Sequence, residues 1–182
     1  SQTFHISKNK DNLELRSHII KHIREFFWNQ NFLEVETPLI VKYPGLEPNL
    51  SIMGVDISNE QGKKFKGHLH TSPEYTMKKM LASGFENIFS ICKCFRDEES
   101  FGGIHNPVFT MIEWYRTSFD MFKLMEDVEQ LFAYVEKKVE VKSKKFIKFK
   151  RIHMRDLWKE TIDINLDDYL EKEKMFELCI EK

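Results

Sequence analysis

Apolar positions along the chain follow two different periods. Between residues 14 and 30 they recur every three or four positions, at Leu15, Ile19, Ile23, Phe26 and Phe27, with Ile20 alongside. That spacing predicts an amphipathic helix. Asp11 or Asn12 is placed to cap its start, and the polar run Asn29, Gln30, Asn31 ends it. Residues 32–36 read as a short strand stopped by Thr37 and Pro38. Residues 39–48, broken by Pro44, Gly45 and Pro48, read as a loop. Residues 50–57 and 65–70 alternate as paired strands around a turn at 59–62. Thr71, Ser72, Pro73 and Glu74 then open a helix, with Ser72 as cap and Pro73 in the first position. Met77, Met80 and Leu81 give that helix an apolar side, Lys78 and Lys79 a solvent side, and Gly84 stops it. Residues 119–136 form another amphipathic helix, capped by Asp120, with Met121, Leu124, Met125, Val128, Leu131 and Phe132 as its stripe. Short helices are expected at 153–159 and from 166 onward.

The stretch 89–118 is different. Two apolar runs flank a polar loop containing the turn-forming pairs Gly102, Gly103 and Asn106, Pro107, so a long antiparallel hairpin is predicted. Side chains two apart on a strand share a face. On the second run Phe109, Met111, Glu113 and Tyr115 point one way, and Val108, Thr110, Ile112 and Trp114 the other. Neither face is polar, which predicts a sheet covered on both sides. A carboxylate on a covered face costs several kcal/mol unless cations or donors meet it. Glu113 therefore needs a partner, either an internal arginine or a cationic ligand.

Composition narrows the function classes. A net charge of −1 over 182 residues gives no overall basic signal for nucleic acid. No apolar run reaches the length of a membrane span and no signal peptide opens the chain, so a cytoplasmic protein without a membrane partner is expected. The cysteines are Cys92, Cys94 and Cys179. Cys92 and Cys94 share a strand face and are too constrained to bridge comfortably, so they read as reduced core thiols. His68 and His70 share a strand parity but lack a third ligand, and no metal site is expected. The lysine-rich stretch 137–151, interleaved with Phe146, Ile147 and Phe149, reads as an exposed charged edge.

Several groups can converge on one ligand. Arg96 ends the first run of the hairpin and can fork onto a phosphate or carboxylate. Glu98 can accept from an amine such as an adenine N6. His105 and Asn106 can contact phosphates, and Phe109 offers a flat face for a base. Glu113 and Tyr115 lie deeper on the same face, and Glu74 stands at a helix start. The set describes a nucleotide pocket beside a cation site, without a Walker loop or a dinucleotide fingerprint.

These residues also carry a resemblance. Phe95, Arg96, Asp97, Glu98 and Glu99, then His105, Asn106 and Pro107, then the run from Phe109 to Arg116 are similar to motif 2 of class II aminoacyl-tRNA synthetases of the lysyl branch. The helix of residues 14–30 with the segment through Pro38 resembles motif 1, the dimer interface of that family. Within the branch, Glu113, Trp114, Tyr115, Arg116 and the run 120–125 look most like the free-standing elongation factor P lysyltransferases. The resemblance implies an α+β class II synthetase catalytic-domain fold, an antiparallel sheet flanked by helices, over residues 1–182. It implies ATP-dependent activation of lysine or (R)-β-lysine and transfer to a lysine of elongation factor P. Arg96 would hold the α-phosphate and the amino-acid carboxylate. Asp97, Glu98, His105, Asn106 and Phe109 would line the ATP site. Ser72, Pro73, Glu74, Glu113 and Tyr115 would bind the amino acid, Glu113 and Tyr115 reading its side-chain ammonium. Mg²⁺ would accompany ATP, with no ligands identifiable. A homodimer through residues 14–38 is implied. With no anticodon-binding barrel ahead of motif 1, tRNA is not expected as a partner. A lysyl-tRNA synthetase fragment and a non-catalytic synthetase-like module are the alternatives. Asp97 stands where Asn is usual and Val108 where Glu is usual, and the glycine-rich motif 3 with its ATP-binding arginine is absent.

Overall fold

The computed structural model describes residues 7–99, 105–139 and 149–181. Two compact units divide the chain, Ser1–Lys144 and Lys145–Lys182. The lysine-rich expectation at 137–151 falls largely outside the described residues.

In the first unit, helix α1 (Lys10–Asn29) leads into strand β1 (Leu33–Glu34). The helix starts before Asp11 and Asn12, so those residues lie in its first turn and Asn9 holds the cap position. Strand β2 (Ile40–Val41) lies inside the stretch read as loop. Its two residues carry no periodic signal; pairing with β4 (Lys64–Leu69) makes them a strand. Strand β3 (Gly54–Ser58) pairs antiparallel with β4 around a turn in which Asn59 Oδ1 accepts from the Gln61 and Lys63 amides. Gly62 there has φ +78°, open to glycine without a Cβ penalty. Helix α2 (Glu74–Ala82) follows, with Ser72 Oγ accepting from the Glu74 amide at 3.1 Å.

Strands β5 (Asn87–Phe95) and β6 (Val108–Arg116) form the expected antiparallel pair, and β1 adds to β5 in parallel. Residues opposite one another on an antiparallel pair share a face. One face therefore carries Phe89, Ile91, Ile112 and Trp114, packed with Phe26, Phe27 and Phe32 of the α1–β1 segment and Leu131 of helix α3 (Met121–Lys138). Phe27, fully buried, stacks on Phe89 at 4.9 Å. The other face carries Ser90, Cys92 and Cys94 opposite Glu113, Met111 and Phe109. Its inner end is covered by α2 through Met77, Met80 and Leu81 against Ile88 and Tyr115.

Asp120 caps α3, accepting from the Lys123 amide at 2.9 Å. The stripe read from sequence does not face the core as a whole. Met121, Leu124, Met125 and Phe132 are exposed, whereas Leu131 and Asp127 are buried. A charge decides this rotation. Arg116 Nε donates to Asp127 Oδ2 at 2.8 Å, its guanidinium also reaches Gln30, and it lies over Phe32 at 4.6 Å. One buried ion pair thus ties β6, α1 and α3 together.

The second unit contains helix α4 (Met154–Ile162), a 3-10 turn (Leu166–Tyr169) and helix α5 (Lys172–Glu181). His153 caps α4, and Arg155 holds Asp167 of the 3-10 turn at 2.5 Å.

Removing one partner of a buried pair leaves an uncompensated charge. Asp127→Ala is expected to lower stability by about 3 kcal/mol in urea unfolding. An exposed control, Glu14→Ala, should change it by less than about 0.5 kcal/mol.

Candidate active site

The strand register builds the floor of the site. Because Ser90 pairs with Glu113 and Cys94 with Phe109, the carboxylate and the aromatic ring stand on one face, at opposite ends of a short floor. Glu113 is partly buried and held by two hydroxyls. Ser72 Oγ donates to its Oε2 at 2.7 Å, and the Tyr115 hydroxyl donates to its Oε1 at 2.5 Å. Burial, reinforced by the bond to Glu113, pushes the Tyr115 pKa up, so that hydroxyl keeps its proton and remains a donor. Among the described residues no lysine or arginine pairs with Glu113. Two neutral donors orient the carboxylate, and the charge of Glu113 acts from farther off on Lys78, itself paired with Glu74, and on His70.

Ser72 enters because the chain turns sharply after β4. The Phe95 amide donates to the His70 carbonyl at 3.1 Å, docking the approach to α2 against the end of β5. Pro73 rather than Ser72 holds the cap position of α2, one residue later than the sequence suggested; Ser72 Oγ accepts from the Glu74 amide and donates to Glu113. Pro73 is buried behind it. A cavity of about 300 Å³ opens beside Ser72, lined also by His70, Tyr75, Thr76 and Lys79. Glu74 does not face Glu113's donors unengaged. Its carboxylate pairs with Lys78 one turn along, which raises the lysine pKa.

At the other end of the floor the Arg96 guanidinium lies over the Phe109 ring, 5.0 Å from its centre. Its amide donates to the Pro107 carbonyl, but its buried Nε has no hydrogen-bond partner. A buried guanidinium donor with no acceptor among the described residues is suited to an incoming phosphate or carboxylate oxygen. Glu98 adopts φ +57°, strained for a side chain of its size, with its amide held by Asp97 Oδ1. Ser51 Oγ donates to Glu98 Oε2 at 2.5 Å, and Asp97 bridges to the Ser51 backbone. His105 is exposed and lies 3.7 Å from Glu99, and Asn106 is exposed beside it. The loop residues 100–104 lie outside the described set. Arg96, Phe109, Ser72, Glu113 and Tyr115 are therefore brought together on the sheet. Asp97, Glu98, His105 and Asn106 sit on the connection beyond its end.

Sequence reasoning missed two features. Ser51, which holds the Glu98 carboxylate, gave no signal. Nor did the third member of a cluster on the floor. His70 lies with Cys92 and Cys94, their ligand-type atoms all within 4.8 Å of one another. Residues 22 apart in sequence meet there only because β4 runs into the end of β5. Cys92 is held toward the thiolate by the Cys94 thiol and then by His70, whose own pKa is raised mainly by Cys92. Cys94 keeps its proton, next to Cys92 and away from solvent. These are soft donors, unsuited to Mg²⁺. No other group of at least three such ligands occurs among the described residues.

Comparison with known proteins identifies the family. The family model of tRNA synthetases class II (D, K and N) matches residues 3–177. A Haemophilus ducreyi protein named elongation factor P–(R)-beta-lysine ligase is 46% identical over 121 residues, 66% of this chain and 37% of that protein. Proteins of the same name from Actinobacillus succinogenes and Pasteurella multocida are each 42% identical. They align over 70% and 71% of this chain and 39% and 40% of their own lengths. The chain thus spans about two fifths of the length of these curated relatives. With a match that runs almost end to end, this chain belongs to the class II tRNA synthetase family of the D, K and N type.

Proposed function

We propose that this chain supplies the amino-acid and ATP-binding floor of a ligase. That enzyme activates (R)-β-lysine or lysine as its adenylate and transfers it to a lysine of elongation factor P. The observation that carries the reading is Glu113, a partly buried carboxylate set by two hydroxyl donors and, among the described residues, in no direct ion pair with a lysine or arginine. A substrate ammonium supplies the missing charge. The names of the relatives support both the amino acid and the acceptor protein.

The chemistry follows from position. With the ammonium at Glu113, the amino-acid carboxylate extends along the floor toward Arg96. There it attacks the α-phosphorus of ATP in line and pyrophosphate leaves. Arg96 binds the α-phosphate and the carboxylate together, so the orphaned Nε gains an acceptor as charge develops. Phe109 stacks on adenine, which requires the guanidinium now over its ring to yield that face. Glu98 accepts from the adenine amine, Asp97 lines the nucleotide site, and His105 and Asn106 meet phosphates. Ser72, Pro73, Glu74 and Tyr115 complete the amino-acid side. Mg²⁺, which class II chemistry ordinarily uses, would shield the phosphates; no set of described residues offers it a carboxylate cluster.

Residues 14–38 form the homodimer interface in this reading. Trp28 and Leu33, 51% and 52% exposed, lie on that segment. Among the described residues no helix is long and apolar enough to cross a membrane, which fits a cytoplasmic ligase.

ATP–pyrophosphate exchange by the protein as its gene encodes it tests the activity. Exchange is expected with lysine or (R)-β-lysine, followed by label transfer to elongation factor P. Absence of exchange would favour a non-catalytic binding module. Glu113→Gln is expected to weaken amino-acid binding by about 10- to 100-fold, the range of a hydrogen bond to a charged group, while ATP affinity stays within about twofold. Equal loss of both, by calorimetry, would make Glu113 a structural residue. Phe109→Ala should weaken ATP by about 1–3 kcal/mol; unchanged nucleotide affinity would remove the stacking role. In sedimentation, a dimer that Trp28→Glu converts to monomer is expected.

A further inference from the structure

We propose that His70, Cys92 and Cys94 form a binding site for Zn²⁺ on the floor of the sheet, with a fourth coordination position left open.

Three observations carry it. The first is the spacing of the thiols. A tetrahedral zinc with Zn–S bonds of about 2.3 Å places two sulfurs about 3.8 Å apart. Cys92 Sγ and Cys94 Sγ are 3.9 Å apart. Both cysteines are free, and that separation is far beyond the roughly 2.05 Å of a disulfide. The strand imposes the spacing: residues two apart on β5 project side by side.

The second is the orientation of the imidazole. His70 Nε2 lies 2.7 Å from the Lys93 carbonyl oxygen, a group that can only accept. Nε2 therefore carries hydrogen and donates, and Nδ1 is the nitrogen left to bind a metal. A ligand histidine anchored through its other ring nitrogen to a backbone carbonyl is the usual support around protein zinc. The anchor here belongs to Lys93, the residue between the two cysteines, so one strand sets all three donors.

The third is the setting. Cys94 and His70 are buried, at 0% and 3% exposure, and Cys92 is half-buried, which leaves a path for the ion from the Cys92 side. Met111 Sδ lies 3.9 Å from Cys94 Sγ, on the strand opposite. Two thiolates, an imidazole and a nearby thioether are soft donors that select zinc over magnesium or calcium. On binding, the ion takes the place of the remaining thiol protons, which pass to solvent.

The proposal stands apart from the reading of the function, because it is tested on this chain by metal binding alone. Zn²⁺ is titrated into the reduced chain against a chromophoric chelator, and Co²⁺ is used as a spectroscopic probe. One equivalent of Zn²⁺ is expected, with a sulfur-to-cobalt charge-transfer band for Co²⁺. Cys92→Ser and Cys94→Ser should each weaken Zn²⁺ at least tenfold and abolish that band, with far-UV circular dichroism confirming that the variants fold. Zn²⁺ should also protect Cys92 and Cys94, but not Cys179, from alkylation in the unsubstituted chain. No charge-transfer band would overturn the site. So would zinc affinity unchanged in folded serine variants, or alkylation of Cys92 and Cys94 unaffected by Zn²⁺.

Discussion

A carboxylate set among aromatic and aliphatic side chains has to be answered by something, and the way Glu113 is answered organises this molecule. Ser72 and Tyr115 each give it one hydroxyl proton. Hydroxyls fix its direction without cancelling its charge. Contrast a fully buried carboxylate, Asp127, which is matched by Arg116 inside the fold. The same strand, β6, carries both solutions. Arg116 at its end joins three elements, whereas Glu113 three residues earlier is held by hydroxyls alone, which is what the proposed cation site rests on. A buried internal ion pair is a structural device; a partly buried carboxylate with only neutral hydrogen-bond donors is a candidate cation site.

The rest of the architecture can be seen as support for that arrangement. The aromatic cluster of Phe26, Phe27, Phe32 and Phe89 fills one face of the sheet, so α1 and α3 are committed there. The opposite face is left to α2, with Ser72 just ahead of its start, and to the floor running from Glu113 to Phe109. Arg96 closes the far end with a buried nitrogen that has no acceptor among the described residues. The proposed function reads the two ends as places for the ammonium and the carboxylate of an amino acid laid along β6.

Much of this was legible in the sequence, for physical reasons. Alternation over nine paired residues determines which side chains share a face, so the company of Phe109, Met111, Glu113 and Tyr115 could be read directly. The turn pairs and the 3.6-residue period of α1 were equally local signals. What escaped depended on contacts distant in sequence. The strand β2 has only Ile40 and Val41 and exists through β4. The rotation of α3 follows the Arg116–Asp127 pair rather than its longest apolar stripe. Ser72 and Glu113 are 41 residues apart, and neither residue type announces the other. His70 joins the two cysteines only through the docking of its backbone on β5. Periodicity reports burial; it does not report which polar group will meet which.

The most direct test of the central claim compares two ligands of one shape and different charge. Calorimetry on the protein as its gene encodes it would measure lysine against norleucine, which keeps the four-carbon chain and lacks the terminal ammonium. If Glu113 awaits a cation, lysine binds about 10- to 100-fold more tightly, as a charged hydrogen bond of about 1.5–3 kcal/mol requires. Equal affinities for the two would contradict the account.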